Sequence, residues 1–247
     1  MGSEELVDVS IIFPAYNEAR RLPSAVEETI SFLRGFANSY EIIIAEDGST
    51  DGTDKVASQL SKKYDFIKHI HNDKRLGKGR ALKEASKKSR GKIIVHMDVD
   101  LATNIKHLRE LVQSIIDGYD FAIGSRLLPE SRVERTSLRE FTSRVYNFMV
   151  RMLFKTGIRD HQCGFKSFRR EALMKVVDEV EANHLFWDTE LLVRALKEGC
   201  RIREMPVEWK EGGVTKVRLF RDSATMFLQA LRLWLELRMR RFHVGKH

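Results

Sequence analysis

Five short runs rich in apolar and β-branched residues recur along the first half of the chain, at Val9–Phe13, Tyr40–Ala45, Phe66–Ile70, Lys92–Met97 and Asp120–Ile123. Their starts lie 26 to 31 residues apart, so each gap has room for one helix and its turns. The gaps carry amphipathic patterns at Ala25–Phe36, Lys55–Tyr64, Gly79–Ser89 and Ile105–Ile116, the last preceded by Thr103 and Asn104 as capping residues. This alternation predicts an α/β chain with a mostly parallel sheet and helices on both faces. Ligands of such sheets sit beyond the carboxyl ends of the strands, so the residues after each run are where a site is expected.

Those residues are rich in carboxylates and glycines. Pro14-Ala15-Tyr16-Asn17-Glu18 follows the first run, Glu46-Asp47-Gly48-Ser49-Thr50-Asp51-Gly52-Thr53 the second, Gly77-Lys78-Gly79 comes shortly after the third, and Asp98-Val99-Asp100 ends the fourth. Residues two apart at a strand end face the same way, so Asp98 and Asp100 share one side and offer two hard oxygen donors suited to Mg²⁺ or Mn²⁺. A lone Asp-x-Asp is more often a solvated loop pair. The buried run Ile93-Ile94-Val95-His96-Met97 before it shifts the balance, because two carboxylates delivered to one edge repel unless a cation offsets them. The 47–53 segment reads first as a tight strand-to-helix turn with Asp51 or Thr53 as cap, which leaves Glu46 and Asp47 free to accept hydrogen bonds from a base or ribose. Gly77-Lys78-Gly79 permits close approach of a phosphate, with Lys78 as a point charge, but matches neither the dinucleotide nor the P-loop pattern.

Beyond residue 126 the pattern changes to a long helix near Arg139–Lys155, a loop through Asp160–Phe165, a helix at Asp188–Lys197, a strand near Ile202–Trp209 and a last helix at about Asp222–Phe242. Charge changes with it. Residues 1–125 hold 18 Lys/Arg against 19 Asp/Glu, whereas residues 126–247 hold 25 against 16 and supply all of the net +8. Two distant cysteines, Cys163 and Cys200, make neither a disulfide framework nor a zinc site, and fit a reducing cytosol. No basic-then-apolar leader and no apolar run of about 18 residues is present, so membrane contact is expected to be peripheral.

The Pro14–Glu18, Glu46–Thr53 and Asp98–Asp100 motifs together, in that order and spacing, resemble the nucleotide-sugar half of inverting family 2 glycosyltransferases with the GT-A fold. Gly124-Ser125-Arg126, Arg139 with Ser143 and Asn147, Asp160-x-Gln162-Cys163-Gly164-Phe165-Lys166, and Trp187-Asp188-Thr189-Glu190 are similar to the dolichyl-phosphate sugar synthases, with the Gln-Cys-Gly-Phe-Lys wording nearer the glucosyltransferase branch. The resemblance implies a nucleotide pocket of Pro14, Tyr16, Glu18, Asp47, Lys78 and Asp98, a Mg²⁺ or Mn²⁺ site at Asp98 and Asp100, and an acceptor-phosphate site of Arg126, Arg139, Ser143 and Lys216. The donor it implies is UDP-glucose or GDP-mannose, and the acceptor dolichyl or polyprenyl phosphate. Two departures stand out: Ala102 replaces a metal-shell Gln of the mannose synthases, and Lys210–Lys216 replaces their Arg-x-x-Gly-x-Ser-Lys segment. The expected organisation is a catalytic unit over residues 1–221, divided at 125 into donor and acceptor halves, followed by a basic amphipathic helix and tail at 222–247.

A lipid phosphate is mostly dianionic at neutral pH, with a second pKa of about 6, so it attacks the anomeric carbon without a general base. Catalysis then reduces to alignment and charge stabilisation, with Arg126 at the reacting phosphate and Asp188 in an orienting role to an Arg or a sugar hydroxyl; a first-turn helix aspartate is the plainer account of Asp188. Phe141, Val145, Phe148, Met149 and Met152 at helical spacing, and Phe227, Leu231, Trp234 and Leu235 before Arg238, Arg240 and Arg241, are expected to lie on a membrane at its cytosolic face or, equally well, to pack in a core. A sugar nucleotidyltransferase and a family 2 enzyme with another acceptor share the first half's features. A nucleic-acid-binding module does not fit, since the strongest motifs are carboxylates that repel phosphate backbone.

Overall fold

The computed structural model describes residues 6–212 and 219–244, with side chains of the last helix described at 224–239. Strands β1 (Val7–Ala15), β2 (Tyr40–Asp47), β3 (Ile67–Asn72), β4 (Gly91–His96) and β5 (Phe121–Ser125) alternate with helices α1 (Leu22–Leu33), α2 (Thr53–Lys63), α3 (Lys78–Lys88) and α4 (Leu108–Ile116). There follow β6 (Arg132–Glu134), α5 (Ser137–Phe154), β7 (Lys166–Arg169), α6 (Arg170–Val176), α7 (Trp187–Lys197), β8 (Ile202–Pro206), β9 (Glu208–Lys210) and α8 (Leu219–Val244). The main sheet has the order β3-β2-β1-β4-β7-β5-β8, and β6 pairs with β9 in a separate two-stranded ribbon.

The Ile42-Ile43-Ile44 and Ile11-Ile12-Phe13 runs are buried on both sides, as parallel strands covered on both faces must be. Ile12, Ile43 and Ile94 face α3, α5, α7 and α8, while Ile11, Phe13, Ile42 and Ile44 face α1, α2 and α4. Strand β1 pairs in parallel with β2 on one side and β4 on the other. The winding therefore reverses between β1 and β4, which opens the crevice where a ligand is bound in an open α/β sheet.

Two features depart from the sequence expectation. Strand β7 inserts antiparallel between β4 and β5, where its Lys-Ser-Phe-Arg carries no strand pattern of its own. The single strand expected at Ile202–Trp209 is two: β8 ends on Pro206, which has no N–H for the ladder, and the chain leaves the sheet to pair β9 with β6.

Candidate active site

The loops after β1 and β2 are laced together at the crevice. The Asn17 N–H donates to Ser49 Oγ (3.0 Å), Glu18 N–H to Thr53 Oγ1 (2.8 Å), Ala19 N–H to Asp51 Oδ2 (3.1 Å) and Thr50 N–H to Asn17 Oδ1 (2.8 Å). Asn17 takes a left-handed φ of 55°, a conformation asparagine tolerates, and Gly48 takes 66° where a Cβ would meet the Lys74–Arg75 backbone. Asp47 accepts the backbone N–H groups of Leu76 (2.7 Å) and Gly77 (2.8 Å), so its carboxylate holds the turn that leads into α3. Arg75 stacks over the Tyr16 ring at 3.9 Å from its centroid. Pro14, Tyr16, Glu18 and Asp47 thus line one rigid rim, with Pro14 paired in register with Ala45.

Asp98 and Asp100 lie just past the end of β4, in a loop rather than on the strand. Lys78, the first residue of α3, places its ammonium 2.6 Å from Asp98 Oδ1. Burial works against the Lys78 charge, but Asp98 and Asp188 together hold it above the ordinary lysine range. Asp100 stands at an open rim, yet the protein atoms crowding its carboxyl, and secondly the Asp98 charge, raise its pKa above the usual aspartate value. Asp188, at the start of α7, is paired with a lysine rather than an arginine: the fully buried Lys166 ammonium sits 2.7 Å from its Oδ1 and also donates to the Cys163 carbonyl. The result is a row of alternating charge running Asp98, Lys78, Asp188, Lys166, with Asp100 as a second carboxylate beside Asp98.

This corner fits a divalent ion. Its donors are two hard carboxylates, and the walls around them are glycine: a Cβ at Gly164 would overlap the Asp98 carboxylate, and one at Gly212 would come within 2.9 Å of Asp100 Cβ. A cavity of about 70 Å³ lined by Asp98, Asp100, Arg126, Gln162, Gly164 and Trp209 adjoins them. Separately, Glu46, His69 and His71 bring one ligand atom each within 4.8 Å of one another. There Glu46 already accepts from Ser49 N–H (2.5 Å) and His71 Nδ1 (2.5 Å), a hydrogen bond that raises the His71 pKa.

The second half supplies the cations. Asp160, fully buried, grips Arg126 through the backbone N–H (3.0 Å), Nε (2.7 Å) and Nη2 (2.9 Å). Burial opposes the Asp160 charge, but Arg126 overrides it and drives its pKa far below the carboxylate range. Arg139 pairs with Glu211, tying α5 to the segment after β9. One turn further along α5, the Ser143 hydroxyl is buried without a partner among the described residues. Lys216 lies outside the described residues. Asp160, Lys166 and Trp209 were not singled out from the sequence, although the first two stand in the Asp160–Lys166 motif; Arg135, beside Arg126, carried no signal beyond its charge.

Hydrogen-bonded loops after β1 and β2, a carboxylate pair after β4 and a buried arginine at the crevice of a mostly parallel sheet are the arrangement of the GT-A class. Residues 10–177 match the family described as Glycosyl transferase family 2. Glycosyltransferase AglD of Haloferax volcanii is 47% identical over 95% of this chain, which spans 38% of that protein's length. The human dolichyl-phosphate beta-glucosyltransferase is 36% identical, covering 82% of this chain and 67% of its own. Among solved structures, glucosyl-3-phosphoglycerate synthase of Mycobacterium tuberculosis with UDP superposes at a TM-score of 0.69 and 20% identity, over 93% of this chain and 79% of that one. The mannosyltransferase PcManGT of Pyrobaculum calidifontis with GDP-Man and Mn²⁺ gives 0.60 and 19%, over 95% and 65%. At such identity the two structures speak for the fold alone. The chain belongs to glycosyl transferase family 2.

Proposed function

We propose that this glycosyltransferase moves a hexose, with inversion, from a nucleoside diphosphate sugar to dolichyl or another polyprenyl phosphate at the cytosolic face of a membrane. The observation that carries the proposal is one cavity lined by Asp98 and Asp100 from the donor half and by Arg126 from the acceptor half. Carboxylates for a metal and diphosphate thereby stand next to a cation suited to a second phosphate.

In this reading the acceptor oxygen attacks the anomeric carbon as the bond to the diphosphate breaks, and no proton has to be removed first. Asp98 and Asp100 would hold Mg²⁺ or Mn²⁺, which supplies charge neutralisation to the leaving diphosphate. Pro14, Tyr16, Glu18 and Asp47 bound the nucleotide. Lys78 is placed to turn from Asp98 to a donor phosphate. Arg126, aimed by Asp160, holds the acceptor phosphate together with Arg139, Ser143 and Lys216. Asp188 acts by positioning Lys166, a role different from orienting an arginine. Residues 1–221 form the catalytic unit, and the helix from 222 onward, packed into the same core through Met226, Ala230, Leu233 and Leu237, carries membrane contact on its exposed face.

Support for a lipid acceptor comes from α5 and α8. Phe141, Val145, Phe148 and Met152 are exposed on the first, and Phe227, Leu228, Leu235 and Met239 on the second, close to Arg144, Arg151, Arg232 and Arg238 in sequence. Large exposed apolar side chains beside basic ones suit an anionic lipid surface. Among the described residues no helix is long and apolar enough to cross a membrane.

The test is transfer of labelled glucose from UDP-glucose, or mannose from GDP-mannose, into organic-extractable polyprenyl phosphate. Asp98→Ala and Asp100→Ala should each lower turnover by about a hundredfold or more while the fold is kept; near-normal turnover from either removes the metal site. Pyrophosphate release instead of lipid labelling would identify a nucleotidyltransferase.

A further inference from the structure

Seven buried side-chain nitrogen and oxygen atoms among the described residues have no hydrogen-bond partner, and Arg135 alone contributes two of them, Nε and Nη2. These two N–H groups point the same way from one edge of the guanidinium, the edge that binds two oxygens of a carboxylate or phosphate at once. Arg126 uses the same pair of atoms, Nε and Nη2, to grip Asp160. Arg135 has the fork without the anion.

Its position gives the two unmet donors their context. Arg135 links β6 to α5, immediately before an 18-residue helix whose Thr136 N-cap makes no side-chain capping bond, so the positive end of α5 adds to the local field. Burial first, and then the charge of neighbouring Arg126, depress the Arg135 pKa; Asp160 and Glu140 offset this in part, and Asp160 is already committed to Arg126. A half-buried cation facing a like charge with two donors unmet is costly unless an anion completes it. Arg139 and the orphaned Ser143 hydroxyl follow at one-turn intervals on α5.

We propose that Arg135 is a ligand of the acceptor phosphate, receiving two of its oxygens on the Nε–Nη2 edge alongside Arg126. This rests on the lipid-phosphate reading of the same site. It separates the two anions the enzyme handles: the diphosphate of the donor belongs to the Asp98–Asp100 corner, and the phosphate monoester of the acceptor belongs to the arginine pair.

The experiment compares wild type, Arg135→Gln and Arg135→Lys in steady-state transfer from UDP-glucose to a short-chain polyprenyl phosphate, together with thermal melts with and without that lipid. Arg135→Gln should raise the acceptor KM about tenfold or more. Arg135→Lys, which keeps the charge but lacks the fork, should raise it less, and the UDP-glucose KM should stay within about twofold. Polyprenyl phosphate should raise the melting temperature of wild type and fail to raise that of Arg135→Gln, whose unliganded melt should be no lower than wild type. An unchanged acceptor KM, equal rises in both KM values, or an equal lipid-induced stabilisation of both proteins overturns the assignment. If wild type transfers no sugar to the lipid but is stabilised by it through Arg135, the proposed function falls and the binding assignment stands.

Discussion

At the scale of single residues, the site depends on charges held by neighbours that never meet substrate. Asp160 has no exposed surface and satisfies Arg126 with three hydrogen bonds. Asp160→Asn leaves a buried guanidinium uncompensated, so chemical denaturation should show a loss of about 3–5 kcal/mol, and the acceptor KM should rise with it. Gly164 is the second such position. Its missing side chain makes room for the Asp98 carboxylate, so Gly164→Ala should lower turnover strongly while leaving the melting temperature within a few degrees of wild type. Normal activity in Gly164→Ala would show that Asp98 can move without consequence. The sequence presents both residues in one motif, but their roles come from contacts across 34 and 66 positions of chain, which no local pattern encodes.

At the scale of elements, the last helix has a core-packed face and an exposed apolar one. Helix α8 buries Met226, Ala230, Leu233 and Leu237 in the core and leaves Phe227, Leu228, Leu235 and Met239 exposed, while Trp234 packs against the Arg238 guanidinium at 4.3 Å. Core packing and an exposed apolar stripe are therefore both present on one helix. Removing α8 would open the core, so surface substitutions are the cleaner probe. Phe141→Glu with Phe148→Glu on α5 should reduce binding to anionic liposomes by about tenfold or more, since each buried phenyl ring is worth about 1.5–3 kcal/mol. The melting temperature should change little, because Phe141 is 65% and Phe148 58% exposed. Unchanged liposome binding would show that α5 does not touch lipid.

At the scale of the whole molecule, stability should fall on the acid side of neutrality. Two histidines are buried in neutral form. Burial, followed by nearby lysines, holds His96 far below its ordinary pKa between Phe168 and Trp187. Burial depresses His161 to about 3, where its ring bonds Asn147 Oδ1 (2.8 Å) and Thr156 Oγ1 (2.9 Å). A histidine depressed in the folded state binds its proton only on unfolding, so its contribution is complete above pH about 6.5 and is lost progressively as pH falls toward 3. Each such group adds up to about 1.4 kcal/mol per pH unit to that slope. Thermal melts between pH 7 and 4.5 should show the decline, and His161→Gln should make it shallower. A slope identical to wild type would mean that His161 titrates alike in both states.

The sequence by itself determined the alternating architecture and which carboxylates follow the strand ends, because period and punctuation are local properties that survive in one dimension. Read alone, it puts Asp98, Asp100 and Asp47 at one edge of the sheet. Only the tertiary structure decided that β7 returns antiparallel beside β4, that Lys166 rather than an arginine answers Asp188, and that Arg135 stands by Arg126 with its donors unmet. Those facts depend on which distant segments are brought into contact, and in a low-dielectric interior that contact sets which charges are neutralised and which still await a partner.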